Sequence, residues 1–125
     1  MDIGPRALGD RQLIQSYGEG RFRISGTVHD GGVLVFPERT LPWPVASIRG
    51  VTVDSLAEVT AAEPAVEILL LGCGSRFETI PAALKEALRE AGVMVDSMDT
   101  GAACRTYNVL VSEGRRVAAA LIAID

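Results

Sequence analysis

One histidine and two cysteines in 125 residues remove several kinds of chemistry at once. His29 stands far along the chain from Cys73 and Cys104, so neither a Cys–His nucleophilic pair nor a zinc-ligand spacing is present. The cysteines sit in apolar or glycine-rich surroundings and read as small hydrophobes, with reduced thiols in a cytosol-like compartment. The acidic residues are scattered, with no pair arranged for hydrolysis. Aromatics are only 5% of a chain that is 48% hydrophobic, so its core must be built from Val, Leu, Ile and Ala. Positive charge is lacking too: 12 basic residues face 16 acidic ones, for a net charge of −4. Unaided binding to nucleic acid or anionic lipid needs a positive surface field and is not expected. No segment approaches the roughly 18 consecutive apolar residues of a membrane span. The segment from Met1 to Arg6 has no basic stretch leading into an apolar one, and Arg6 and Arg11 are interrupted by acids, so a cytoplasmic globular protein is the expectation.

What is there reads as one α/β domain, residues 1–125, with a loose arm up to about Asp10. Leu13 to Tyr17 is a short strand stopped by Gly18 and Gly20. Phe22 to Ser25 alternates, Thr27-Val28 continues it, and His29-Asp30-Gly31-Gly32 supplies a tight hairpin turn. Val33 to Phe36 returns as a strand covered on both faces. Pro42 and Pro44 place Leu41 to Val45 at a sheet edge or outside it. Trp43 between them is a lid over the core or an exposed anchor for a partner.

Further on, Asp54 can cap a short helix through Leu56 and Val59. Val66 to Leu71 suits a buried central strand closed by Gly72. Ile80, Leu84, Ala87, Leu88 and Ala91 share one helical face, with Thr79 as cap, Pro81 in the first turn and Gly92 as stop. Val93 to Val95 is a second strand, parallel to the first through a right-handed crossover. Thr100 can cap a helix to about Ser112, stopped by Gly114, and Val117 to Ile124 closes the chain as a strand.

Two loops in this arrangement can carry chemistry. Gly72-Cys73-Gly74-Ser75-Arg76-Phe77 joins a strand to a helix, where a phosphate loop would sit. Phe77 stands where the dinucleotide fingerprint needs its third glycine, and no P-loop lysine is present. Backbone N–H groups with Arg76 beside them can still hold an anion; alternatively the glycines only turn the chain out of the sheet. The second loop leads into Asp99, Thr100, Cys104 and Arg105 at the carboxyl end of the neighbouring strand. Ligands favour that place in α/β sheets. Adjacent strands would set Gly72, Cys73, Gly74 and Arg76 across a crevice from these four. The alternative is structural, with Asp99 and Thr100 satisfying the helix's free N–H groups, Arg105 solvated and Asn108 buried against backbone. Cys104 close to a helix start can have a lowered pKa, although no base accompanies it.

Several segments resemble a small family of uncharacterised domains, the Mth-like domain proteins. They are Ile14 to Gly18, Gly20 to Gly26, Pro42-Trp43, Leu70 to Gly74, and above all Met98-Asp99-Thr100 through Tyr107-Asn108-Val109-Leu110 with Glu113 to Ile122. The family includes an adipogenesis-associated Mth-domain protein and a mitochondrial assembly factor of respiratory complex I. The resemblance implies a three-layer α/β fold with a mixed central sheet and an additional N-terminal β layer, the last strand running antiparallel to its neighbours. It implies no enzymatic activity and no cofactor. What it points to is protein partners, through assembly of a respiratory or other membrane complex. The other reading is a small-molecule or anion-binding protein, or an enzyme, using the crevice between the Gly72–Arg76 loop and the Asp99–Arg105 helix start.

Overall fold

The computed structural model describes residues 11–125. The expected arm before Asp10 lies outside them. Three strands come first, β1 (Ile14–Gly18), β2 (Arg21–Ile24) and β3 (Thr27–Asp30), in an antiparallel sheet of order β1-β2-β3. Both hairpins are two-residue turns with positive φ at each central position, Glu19 (55°) with Gly20 (76°) and Ser25 (46°) with Gly26 (88°). This is the backbone that matches the right-handed twist of paired strands.

The sequence expectation of one strand running through Gly26 to a hairpin at His29–Gly32 is therefore corrected. The chain turns earlier, at Ser25-Gly26, and Gly31-Gly32 instead carries it into a second sheet. Gly32 permits that crossing. A Cβ there would stand 2.6 Å from the Trp43 carbonyl oxygen and 2.9 Å from that of Leu121.

The second sheet holds β4 (Val33–Val35), β5 (Thr40–Pro42), β6 (Ile68–Gly72), β7 (Met94–Met98) and β8 (Val117–Leu121), in the order β5-β4-β8-β6-β7. Pro42 is on an edge strand, as its missing N–H requires. β6 and β7 are parallel, as expected. The last strand differs from the expectation: β8 is antiparallel to β4 but parallel to β6, which makes it the seam of a mixed sheet. Every residue of β8 is buried, and its Ala118-Ala119-Ala120 core lets layers approach closely from both sides.

Leu34, Phe36, Leu69, Leu71, Ala118 and Ala120 face one layer. Helices α1 (Ala57–Thr60) and α2 (Ala82–Glu90) belong to it, with Trp43 only 2% exposed over the core. Trp43 is thus the lid, and its indole N–H donates to the Ser55 carbonyl at 2.8 Å. Val33, Val35, Leu70, Val117, Ala119 and Leu121 face the opposite way, towards α3 (Thr100–Ser112) and the small sheet's Ile14, Phe22 and Ile24.

Three of the expected helix caps are not used, Thr100 among them because Asp99 caps α3. Asp54 and Thr79 give no side-chain cap. Ahead of α1, Thr52 and Ser55 instead cap one another: the Ser55 N–H donates to the Thr52 hydroxyl at 3.0 Å and the Thr52 N–H to the Ser55 hydroxyl at 2.9 Å. This reciprocal pattern satisfies two free donors together.

Candidate functional site

β6 and β7 are neighbours, so the glycine loop and the start of α3 do meet at their carboxyl ends. The meeting is a closed joint. Asp99 is the N-cap, its carboxylate accepting from the Ala102 N–H at 2.9 Å. That leaves the Thr100 hydroxyl for another use. It donates to the Ile122 carbonyl at 2.7 Å and accepts the Gly74 N–H at 3.0 Å, while the Thr100 N–H donates to the Gly74 carbonyl at 2.8 Å. The Ile122 N–H then donates to the Gly72 carbonyl at 3.0 Å. One wholly buried side chain ties the end of β6, the start of α3 and the residue after β8. Gly72 fits the same joint, because a Cβ would lie 2.9 Å from Leu121 Cδ2 and 3.0 Å from the Thr100 hydroxyl.

The other expected site residues part company here. Cys73 and Gly74 also border a 390 Å³ pocket with Ser47, Glu78 and the tail from Ile122 to Asp125, which Thr100 does not line. The Cys73 thiol donates to the Glu78 carbonyl at 3.2 Å, and burial pushes its pKa up. Arg76 is exposed on the loop and does not line that pocket. Arg105 lies one turn into α3, exposed, and donates to the Tyr17 hydroxyl at 3.3 Å on the small sheet. Cys104 points inward with Ala103, Tyr107 and Val111. Burial drives its thiol up to about 12, outweighing the neighbouring Arg105 charge that would lower it. The lowered pKa considered for a thiol at the helix start is therefore corrected, and Cys104 is the small core hydrophobe that the sequence reading favoured.

The Thr-Tyr-Asn segment serves packing more than it serves the loop. The Asn108 side chain accepts from the Ile14 N–H at 2.9 Å and donates to the Ile14 carbonyl at 2.8 Å. It stands in for a strand where the β1–β2 pairing shifts register. That is the asparagine bonded to backbone that the sequence suggested, half-buried rather than buried. Tyr107, wholly buried beside it, has a hydroxyl with no hydrogen-bond partner among the described residues. Nothing in the sequence flagged that orphan, because an isolated tyrosine gives no sign of where its hydroxyl ends. Among the described residues no group of His, Cys, Asp or Glu side chains could hold a metal ion. No helix there is long and apolar enough to cross a membrane.

The model of a protein family of unknown function, DUF498/DUF598, matches residues 14–122. An uncharacterised protein of Rhodobacter capsulatus is 44% identical over 87% of this chain and 82% of its own length. The zebrafish NADH dehydrogenase [ubiquinone] 1 alpha subcomplex assembly factor 3 is 41% identical over 88% of the chain, and the human one 35% identical over 94%. The match spans only 63% and 64% of those two proteins' own length. Among solved structures, an outer membrane protein from Bartonella henselae superposes with a TM-score of 0.85 at 33% identity, covering 94% of this chain and 98% of that one. A Mth938-like domain from Bordetella pertussis gives 0.78 at 29% identity, covering 93% and 86%. With its two sheets, its joint at Thr100 and its segment from Met98 to Asn108 all inside the matched region, the chain belongs to the DUF498/DUF598 family and has the Mth938-like α/β fold.

Proposed function

We propose that this chain is a non-enzymatic interaction module that assists assembly of a complex I-like respiratory complex, working from the cytoplasm through protein partners. The observation that carries this reading is the similarity to assembly factors, which runs across nearly the whole described fold at 35–41% identity in the zebrafish and human proteins. The polar groups at the strand ends agree with it. The hydroxyl of Thr100 and the carboxylate of Asp99 are already engaged in holding the fold. The anion-binding reading has no comparable support, because Arg76 and Arg105 do not converge on the pocket at Cys73.

Deleting the gene in its native host tests the proposal. The expected result is a fall in membrane NADH:quinone activity together with a fall in the abundance of the assembled complex. A plasmid copy of the gene should restore both, and succinate:quinone activity should stay unchanged. Unchanged NADH:quinone activity and complex abundance would overturn the reading.

A further inference from the structure

The two edges of the larger sheet are treated differently. β5 is short and carries Pro42, which blunts it against added strands. β7 at the other edge has five residues and no proline, and nothing among the described residues pairs with its outer side. Its hydrogen-bonding direction follows from the ladder with β6. The Met94 N–H donates to the Glu67 carbonyl, and the Met98 carbonyl accepts from the Cys73 N–H. In a parallel strand alternate residues point the same way, so Val95 and Ser97 turn both N–H and C=O outward.

Beside those free groups runs a groove of about 350 Å³ lined by Phe77, Ile80, Ala82, Lys85, Val95 and Ser97. Phe77 is 57% exposed there and Met94 at the strand's start 70%, large apolar side chains left in water along one edge. An open edge next to an apolar groove is the arrangement that accepts an extended peptide as an extra strand.

The charge on β7 favours a basic partner segment over a second copy paired with Val95 opposite Ser97. Val95 packs towards the α2 side of the sheet and Met98 towards the α3 side, so Asp96 projects on the α3 side. A second copy pairing antiparallel through Val95 and Ser97 would set Asp96 directly opposite its own counterpart. Like charges facing across strands are destabilising. A segment with a basic residue at that place gains from the same carboxylate, while its flanking residues enter the groove.

We infer that β7 is the docking edge for an extended segment of a partner protein with an apolar–basic–apolar alternation, its basic residue opposite Asp96 and its apolar neighbours beside Phe77 and Ile80. This deepens the assembly reading, and rests on it for the partner's biological role. The surface itself is measured on the isolated chain, so it can fail while deletion still lowers NADH:quinone activity, and the reverse.

The test titrates the ¹⁵N-labelled full chain with acetyl-Thr-Thr-Val-Arg-Val-Thr-Thr-amide and follows its amide resonances. Shifts should concentrate at Val95, at Ser97 and from Phe77 to Lys85. A peptide with Glu in place of Arg should bind about fivefold more weakly, and Asp96→Lys should reverse that order. N-methylation of the two valine amides should abolish the shifts, and so should Phe77→Ser, at an exposed position the fold does not need. Shifts elsewhere, none in the millimolar range, or equal shifts with the N-methylated peptide would overturn the inference. So would shifts at Val95 and Ser97 on simple dilution, because the occupant would then be a second copy.

Discussion

Thr100 shows how much one hydroxyl can hold. Its donor and acceptor bonds link the residue after β8 to the glycine after β6, at a point from which water is excluded. Valine has nearly the same shape and neither bond. Thr100→Val therefore leaves the Gly74 N–H and the Ile122 carbonyl buried and unpaired. The expected loss is about 2–4 kcal/mol, since each such group costs roughly 1–3 kcal/mol. Thr100→Ser keeps both bonds and should lose much less. Urea unfolding of the two variants checks this, and equal midpoints would show that the hydroxyl is not the tie. Asp99 and Thr100 were visible from sequence as residues that serve a helix start. Their division of labour was not, because it depends on the Ile122 carbonyl, which comes from a strand end far along the chain.

At the scale of elements, the small sheet is fastened to α3 by the paired bonds between Asn108 and the Ile14 backbone, above the apolar contact of Phe22 and Ile24. Asn108→Ala removes the bonds and keeps the apolar contact. Amides of β1 and β2 should then exchange about tenfold faster, from about 1–2 kcal/mol of lost local protection, while β6 and β8 change little. Hydrogen exchange by NMR reads both sets, and uniform acceleration would mean that Asn108 supports the whole fold instead. The elements differ in how far their sequence announced them. Helix α3 was expected from Thr100 to about Ser112, which is its extent, because a capping signal and a glycine stop bound one apolar face. The hairpin was misplaced because Gly20, Gly26 and Gly31 all permit positive φ. Only the burial of Phe22 and Ile24 against α3 says which glycine turns the chain back. The direction of β8 beside β6 was illegible for a similar reason, since its alanines and leucine suit a buried strand of either direction. The crevice expected between the two loops rests on the adjacency of β6 and β7, which the sheet has. That expectation did not allow for Gly72 drawing Thr100 into contact.

For the molecule as a whole, one layer of the core carries groups that titrate only when it opens. Cys104 and Tyr107 are both neutral on the inner face of α3, each held protonated by burial, the thiol up to about 12 and the phenol higher still. In the unfolded chain they ionise at ordinary values, 9.0 and 10.0. Their contribution to stability is therefore complete below about pH 9. Above it the unfolded state releases protons that the folded state retains, and stability falls, approaching about 1.4 kcal/mol per pH unit for each group. Cys73, whose thiol burial also raises, adds a decline of the same sign from the other core layer. The urea midpoint should hold from about pH 7 to 8.5 and drop clearly by about pH 10.5, where all three groups contribute. Tyr107→Phe keeps the packing and removes a hydroxyl that has no partner, so it should cost little at neutral pH and flatten the decline above about pH 10. A midpoint independent of pH across this range, or a Tyr107→Phe curve parallel to the parent's, would show that the alkaline transition does not come from opening this core layer.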